Sequence, residues 1–98
     1  MIIVTQDEET IVNFDDVTKI YIKNPFENND GKFEIRAENV WNVEILGYYK
    51  TKERAKEIFK DISLRYEAIE LCKREHIMPD ILGYTIGDYT PVYEMPKE

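Results

Sequence analysis

Residues 51–75 form the only long helical pattern in the sequence and constrain the fold more than any other segment. Thr51 can cap a helix, because its hydroxyl accepts hydrogen bonds from the unpaired backbone N–H groups of the first turn. Apolar residues then recur mainly at steps of three and four, which places them on one face of an α-helix. These residues are Ala55, Ile58, Phe59, Ile62, Tyr66 and Ile69. The pattern predicts a helix over about 52–75 that covers one face of a sheet.

A second, smaller apolar stripe lies on the back of the predicted helix, where Leu64, Ala68 and Leu71 follow each other at steps of four and three. A helix covered by a sheet on its other side leaves these residues exposed, and two leucines in register are a candidate contact patch. With two tail tyrosines they form the predicted interaction surface: Leu64, Ala68, Leu71, Tyr89 and Tyr93. Two alternatives would cover the stripe. One is the tail of the same chain, and the other is the same helix of a second copy in a homodimer.

Five short runs before the helix have the composition of strands: residues 2–5, 10–14, 17–23, 32–37 and 43–49. The alternation is cleanest in the fourth run, where Phe33, Ile35 and Ala37 are predicted to point inward. A turn over residues 39–42 with Trp41 at its tip separates the last two runs. Gly47 interrupts the fifth run, which predicts a bulge or a close backbone approach there.

Residues 76–87 have no periodicity, and residues 89–95 form a last β-like run in which Pro91 favours a sheet edge. The predicted fold class is α+β, with one domain over residues 1–98. A twisted, partly rolled antiparallel sheet of four to five strands is covered by one long helix, followed by a C-terminal edge strand or tail. A rolled sheet closed by one helix resembles the pleckstrin-homology-like architecture, an analogy that carries no function.

Size and composition predict an ordinary globular protein. Its 98 residues suit one domain with one core, and no apolar run approaches the ~20 residues that cross a bilayer. Met1 is followed directly by apolar residues, without the basic segment of a secretory signal. The single cysteine, Cys72, fits a reducing compartment. We therefore expect a cytoplasmic protein with no membrane partner.

The formal charge of −7, from 20 acidic and 13 basic residues, argues against nucleic acid as a partner. Phosphate backbones are bound by clustered Lys and Arg, and this chain has no surplus of them. An alternative function follows from the same charge: an acidic inhibitor or decoy that occupies the basic groove of a nucleic-acid-binding host protein. Acidic residues cluster at positions 7–9 and 15–16, both of which are predicted turns.

Binding of single strands is a minor alternative. Aromatic rings can stack bases where basic side chains lie beside them. The predicted solvent face of the sheet offers one such set: Lys19, Tyr21, Lys23, Lys32 and Arg36.

Cys72 and His76 lie four residues apart at the helix end, so they could share a metal ion or form a nucleophile and base. A structural zinc site needs four ligands, and no second Cys or His exists to complete one. No Gly-rich phosphate loop or nucleophile elbow is present. The sequence therefore predicts a protein that is not an enzyme and has no cofactor. A weak metal site or a Cys-based enzyme centred on this pair remains the alternative.

Residues 46–58, which read LGYYKTKERAKEI, resemble the strand-to-helix junction of a group of short uncharacterised proteins from Gram-positive bacteria, their phages and their mobile elements. The resemblance includes MIIVT at residues 1–5, VNF at 12–14 and YEMP at 93–96. The chain departs from the group in an added segment around residues 75–88. The group has no established activity, so the resemblance implies no catalytic residue. We therefore expect a small acidic protein-interaction module of bacterial or phage origin.

Overall fold

The computed structural model describes residues 1–26, 30–75 and 92–98, including their side chains except those of residues 72–75. One helix and six strands are present within these ranges, together with a single turn of 3₁₀-helix at Phe14–Asp16. The α+β class is therefore confirmed. The elements in chain order are β1 (Ile2–Val4), β2 (Ile11–Asn13), β3 (Lys19–Lys23), β4 (Phe33–Glu38), β5 (Val43–Tyr49), α1 (Lys52–Glu75) and β6 (Val92–Glu94).

The strands divide into two sheets of three, which differs from the single sheet of four to five strands that the sequence predicts. In one sheet, β3, β4 and β5 run antiparallel in chain order. In the other, β1 lies between β2 and β6, antiparallel to β2 and parallel to β6. The 3₁₀ turn separates the two sheets, and Asn13 caps it by accepting a hydrogen bond from the Asp15 N–H at 3.1 Å. β6 lies at an edge, as predicted.

Helix α1 begins where the sequence predicts. The Thr51 hydroxyl accepts a hydrogen bond from the Arg54 backbone N–H at 3.1 Å, which satisfies one unpaired donor of the first turn. The inward stripe then packs on β3, β4 and β5. Its most buried members are Ala55, Ile58, Ile62 and Ile69. Full burial of each isoleucine contributes about 1.5–3 kcal/mol, so this face holds the helix on the sheet.

The bulge predicted at Gly47 is confirmed. The β4–β5 register changes from Ile35 opposite Gly47 to Arg36 opposite Ile45, so Leu46 is the extra residue. The bulge turns Leu46 into the core, where its side chain is fully buried. A β-carbon added to Gly47 would lie only 2.7 Å from the Tyr49 hydroxyl, so the close approach is also present.

Gln6 joins the two sheets. Its backbone N–H donates to the Leu46 carbonyl at 2.8 Å. Its side-chain amide then pairs with the Tyr48 backbone as a strand residue would, accepting from the Tyr48 N–H at 2.8 Å and donating to the Tyr48 carbonyl at 3.0 Å. The same amide nitrogen donates to the Lys97 carbonyl at 2.9 Å. One side chain therefore fixes the end of β1, β5 and the C-terminal segment against each other.

Two tyrosine hydroxyls hold the C-terminal segment on the core. Tyr49 donates to the Pro96 carbonyl at 2.8 Å, and Tyr93 donates to the Asp61 carboxylate on α1 at 3.0 Å. Both rings are buried. Burial raises the pKa of both phenols, and that of Tyr49 rises from 10.0 to about 12. Both tyrosines therefore keep their protons in the folded chain well above their ordinary pKa.

We expect the free energy of unfolding to fall as the pH rises from 10 to 12, because of the raised pKa of Tyr49. The folded chain holds the phenol proton in this range, whereas the unfolded chain, with a pKa of 10.0, releases it. The stabilisation is complete below pH 10 and is lost as the pH approaches 12, a change of about 2–3 kcal/mol for two pKa units. Urea unfolding of the wild type and of Tyr49→Phe across this range measures it. Equal losses in both proteins would contradict the prediction.

Candidate interaction surface

The turn between β4 and β5 is held by the side chain of one asparagine. The side-chain oxygen of Asn39, Oδ1, accepts hydrogen bonds from the backbone N–H groups of Trp41 and Asn42, each at 2.8 Å. The Asn39 backbone N–H donates to the Asn42 carbonyl at 3.0 Å. Asparagine favours such turns because its side-chain amide can replace a backbone group in bonding nearby residues. The turn is therefore fixed without any contribution from the two side chains at its tip.

Those two side chains, Val40 and Trp41, are 80% and 90% exposed. An isolated exposed valine is ordinary, but a large aromatic ring presented almost entirely to water is an informative exception. Within the described ranges, Trp41 is the most exposed large apolar side chain. Its indole contributes little to the core, so the fold does not explain its presence.

Two shallow depressions of about 160 and 350 Å³ adjoin this turn and share Asp16 and Asn39 in their walls. Ile11, which is 66% exposed on edge strand β2, lines the first, and Val40 and Trp41 line the second. Among the described residues, the charged side chains in the two walls are Asp16 and Glu44, both acidic. A patch of apolar side chains with acidic side chains beside them therefore covers this end of the molecule. We call it the tip surface, and it comprises Ile11, Asp16, Val40, Trp41 and Glu44.

The structure places the predicted helix stripe on the surface as well. Leu64 and Leu71 are about half exposed on α1, and Ala68 between them is partly buried. Tyr89 and the segment proposed to cover the stripe lie outside the described residues. A role of Leu64, Ala68 and Leu71 in binding therefore stays a prediction.

Tyr93, the last residue of the predicted interaction surface, is buried in the structure, and its role in binding stays a prediction. Its side chain is only 4% exposed. Pairing of β6 with β1 turns Tyr93 into the core, while Val92 and Glu94 point outward. Its hydroxyl is bonded to Asp61, and the Arg65 guanidinium lies 5.3 Å from the ring centre.

Two basic residues on the solvent face of the β3–β4–β5 sheet are partly neutralised by acidic residues of β4. Arg36 lies 2.6 Å from the Glu34 carboxylate, which is buried, and Lys19 lies 3.7 Å from that of Glu38. These pairs lower the positive charge that stacking on a single strand would require.

Two hypotheses concern chemistry rather than surfaces. His76 lies outside the described residues and the side chain of Cys72 is not described, so their metal or nucleophile role stays a prediction. In the part of the chain that the structure does describe, no group of three or more His, Cys, Asp or Glu side chains is placed to hold a metal ion. Within the same residues, no helix has the length and apolar character needed to cross a membrane.

The sequence predicts Trp41 at a turn tip but does not single it out for binding. The signal that identifies it is the pair of asparagines at positions 39 and 42 around Val40 and Trp41. The tip of a hairpin extends beyond the sheet, so an aromatic side chain there has no neighbouring strand to pack against and is exposed.

No protein-family model, curated protein or solved structure matches the chain. The roles of its residues are therefore inferred from their geometry.

Proposed function

We propose that the chain is a non-enzymatic protein-interaction module that binds a partner protein through the tip surface. The observation that carries this proposal is the 90% exposure of Trp41 on a turn fixed by Asn39. Tryptophan is enriched among the few residues that supply most of the energy of an interface. Because the turn is already ordered, little backbone entropy is lost when it binds.

The tip surface also indicates the chemistry of its partner. An apolar pocket on the partner would take the indole of Trp41, and basic side chains at its rim would face Asp16 and Glu44. A second copy of the same surface would bring like charges together, on a chain whose net charge is already −7. The complementary partner is therefore a different protein with a basic-rimmed apolar pocket.

A second candidate is an acidic inhibitor or decoy of a nucleic-acid-binding protein. The side chains of Asp7, Glu8, Glu9, Asp15 and Asp16 are all exposed, which favours it. Asp7 also has a local role, because its carboxylate accepts from the Thr5 hydroxyl at 2.6 Å and from the Glu9 N–H at 3.0 Å. Capture of a basic partner that is lost at high salt would mark this function.

The experiment is affinity capture from a bacterial lysate with four proteins: the wild type, Trp41→Ser, the double variant Leu64→Glu with Leu71→Glu, and Phe26→Ser. Phe26 is another exposed aromatic residue, outside the tip surface, and serves as the matched control. We expect one partner to be captured by all except Trp41→Ser. Loss of the partner in the double variant alone would place the interface on the helix stripe and contradict the proposal.

A further inference from the structure

We propose that a cavity of about 450 Å³, lying between the start of α1, the end of β5 and the C-terminal segment, binds a small organic anion. Small-molecule sites in proteins have volumes of roughly 300–1,000 Å³, so a molecule of modest size fits. None of the described residues in its walls belongs to the tip surface, and the proposal is independent of the proposed function.

The charge of the cavity is opposite to that of the chain. Among the residues that the structure describes, four Lys or Arg side chains line it, whereas Glu98 is the one acidic residue that does so. In a chain of net charge −7, a patch of average composition would carry a negative net charge. The four cations are Lys32, Lys50, Arg54 and Lys97.

The cations differ in how far they are already engaged by the protein. Lys97 contacts the Glu8 carboxylate at 3.0 Å and donates to the Gln6 carbonyl at 2.9 Å. Arg54 contacts Glu57 at 3.1 Å and donates through Nε to the Glu98 carbonyl at 2.9 Å. Lys50 is exposed and makes no hydrogen bond or ion pair with other described residues. Among the described residues, Lys50 is therefore a cation of this cavity whose charge no acidic side chain already offsets.

The walls are ordered before any ligand arrives. The Gln6 amide is held by the Tyr48 backbone and the Lys97 carbonyl, so it cannot turn away. The Tyr48 ring is 40% exposed and also lines the cavity, where it offers an apolar face for stacking. The ligand class is therefore an anion, carboxylate or phosphate, attached to a flat apolar body.

The test is an NMR titration of ¹⁵N-labelled chain with two such anions, AMP and benzoate, and with their neutral counterparts, adenosine and benzamide. We expect saturable shifts of the Gln6, Tyr48 and Lys50 signals with one or both anions, and none with the neutral compounds. Saturation by AMP alone selects a phosphate, and by benzoate alone a carboxylate. Either result supports the proposal.

The variant is Lys50→Glu, and the control is Lys56→Glu, which changes the net charge equally on the exposed side of α1. We expect Lys50→Glu to weaken anion binding by about tenfold or more and Lys56→Glu by less than about twofold. Retained dispersion of the spectrum shows that both variants fold. Equal weakening by both variants, equal binding of a neutral counterpart, or no saturable shift with either anion up to about 10 mM would overturn the proposal.

Discussion

Replacing Trp41 by Ala is expected to weaken binding of the captured partner by about 30- to 1,000-fold, or ~2–4 kcal/mol. The expectation follows from the size of the indole and from the fixed turn that presents it. A large aromatic side chain that enters an apolar pocket releases its whole surface from water, and a preordered backbone offsets little of that gain. Isothermal titration calorimetry with the purified partner measures the change.

The same substitution should leave the fold unaffected, which separates a loss of binding from a loss of structure. Trp41 is 90% exposed, and surface substitutions of this kind change the free energy of unfolding by less than about 0.5 kcal/mol. A variant of equal stability that binds as tightly as the wild type would exclude Trp41 as the anchor. Asp16→Lys, at the rim, should instead act mainly on the association rate and its salt dependence.

Gly47→Ala is expected to destabilise the chain by about 2–4 kcal/mol. The new β-carbon would lie 2.7 Å from the Tyr49 hydroxyl and 2.9–3.0 Å from two ring carbons. The tyrosine cannot move aside cheaply, because its ring is buried and its hydroxyl is bonded to the Pro96 carbonyl. Overpacking contributes about 1–3 kcal/mol and the strained hydrogen bond about 1 kcal/mol. Urea unfolding of the wild type and of Gly47→Ala measures the total loss in the free energy of unfolding.

A double-mutant cycle identifies the cause. In a Tyr49→Phe background the nearest clashing atom is gone, so Gly47→Ala should cost at least about 1 kcal/mol less than in the wild type. An equal cost in both backgrounds would show that the Tyr49 hydroxyl is not the cause, and that the ring or the bulge itself requires glycine. Gly31→Ala provides a contrast, because Gly31 has φ +71° and no described atom within 4 Å of an added β-carbon, so its cost comes from backbone conformation, whereas Gly47 has no positive φ.

Local patterns were sufficient to predict the helix and most strands. The cap at Thr51 and the three-four spacing of Ala55, Ile58 and Ile62 depend only on neighbours in sequence, and the structure has the same start and the same buried face. The same is true of the turn at Trp41 and the bulge beside Gly47. Each is encoded within a few residues, so no knowledge of the distant chain was needed.

The division into two sheets could not be predicted, because it depends on partners far apart in the sequence. β1 pairs with β6 across about 90 residues, and Gln6 bonds to Tyr48 and Lys97. No local sequence pattern indicates that a glutamine side chain will pair with the backbone of a distant strand. The burial of Tyr93 follows from the same long-range pairing, which its neighbours in the sequence do not indicate.

The candidate surface was predictable in part. Spacing on the helix identified Leu64 and Leu71 as exposed residues, and both are on the surface. The tip surface was not identified, because Asp16 lies beside Trp41 only in the folded chain, where the 3₁₀ turn meets the β4–β5 turn.

Binding through the tip surface can be followed with Trp41 itself, since it is the single tryptophan of the chain. Acrylamide quenching of its fluorescence should be that of a fully hydrated indole in the free protein. In the complex with the captured partner, we expect the indole to be shielded from acrylamide and its emission to shift to shorter wavelength. Unchanged quenching and emission in a saturated complex would contradict the claim that this chain binds its partner through the tip surface.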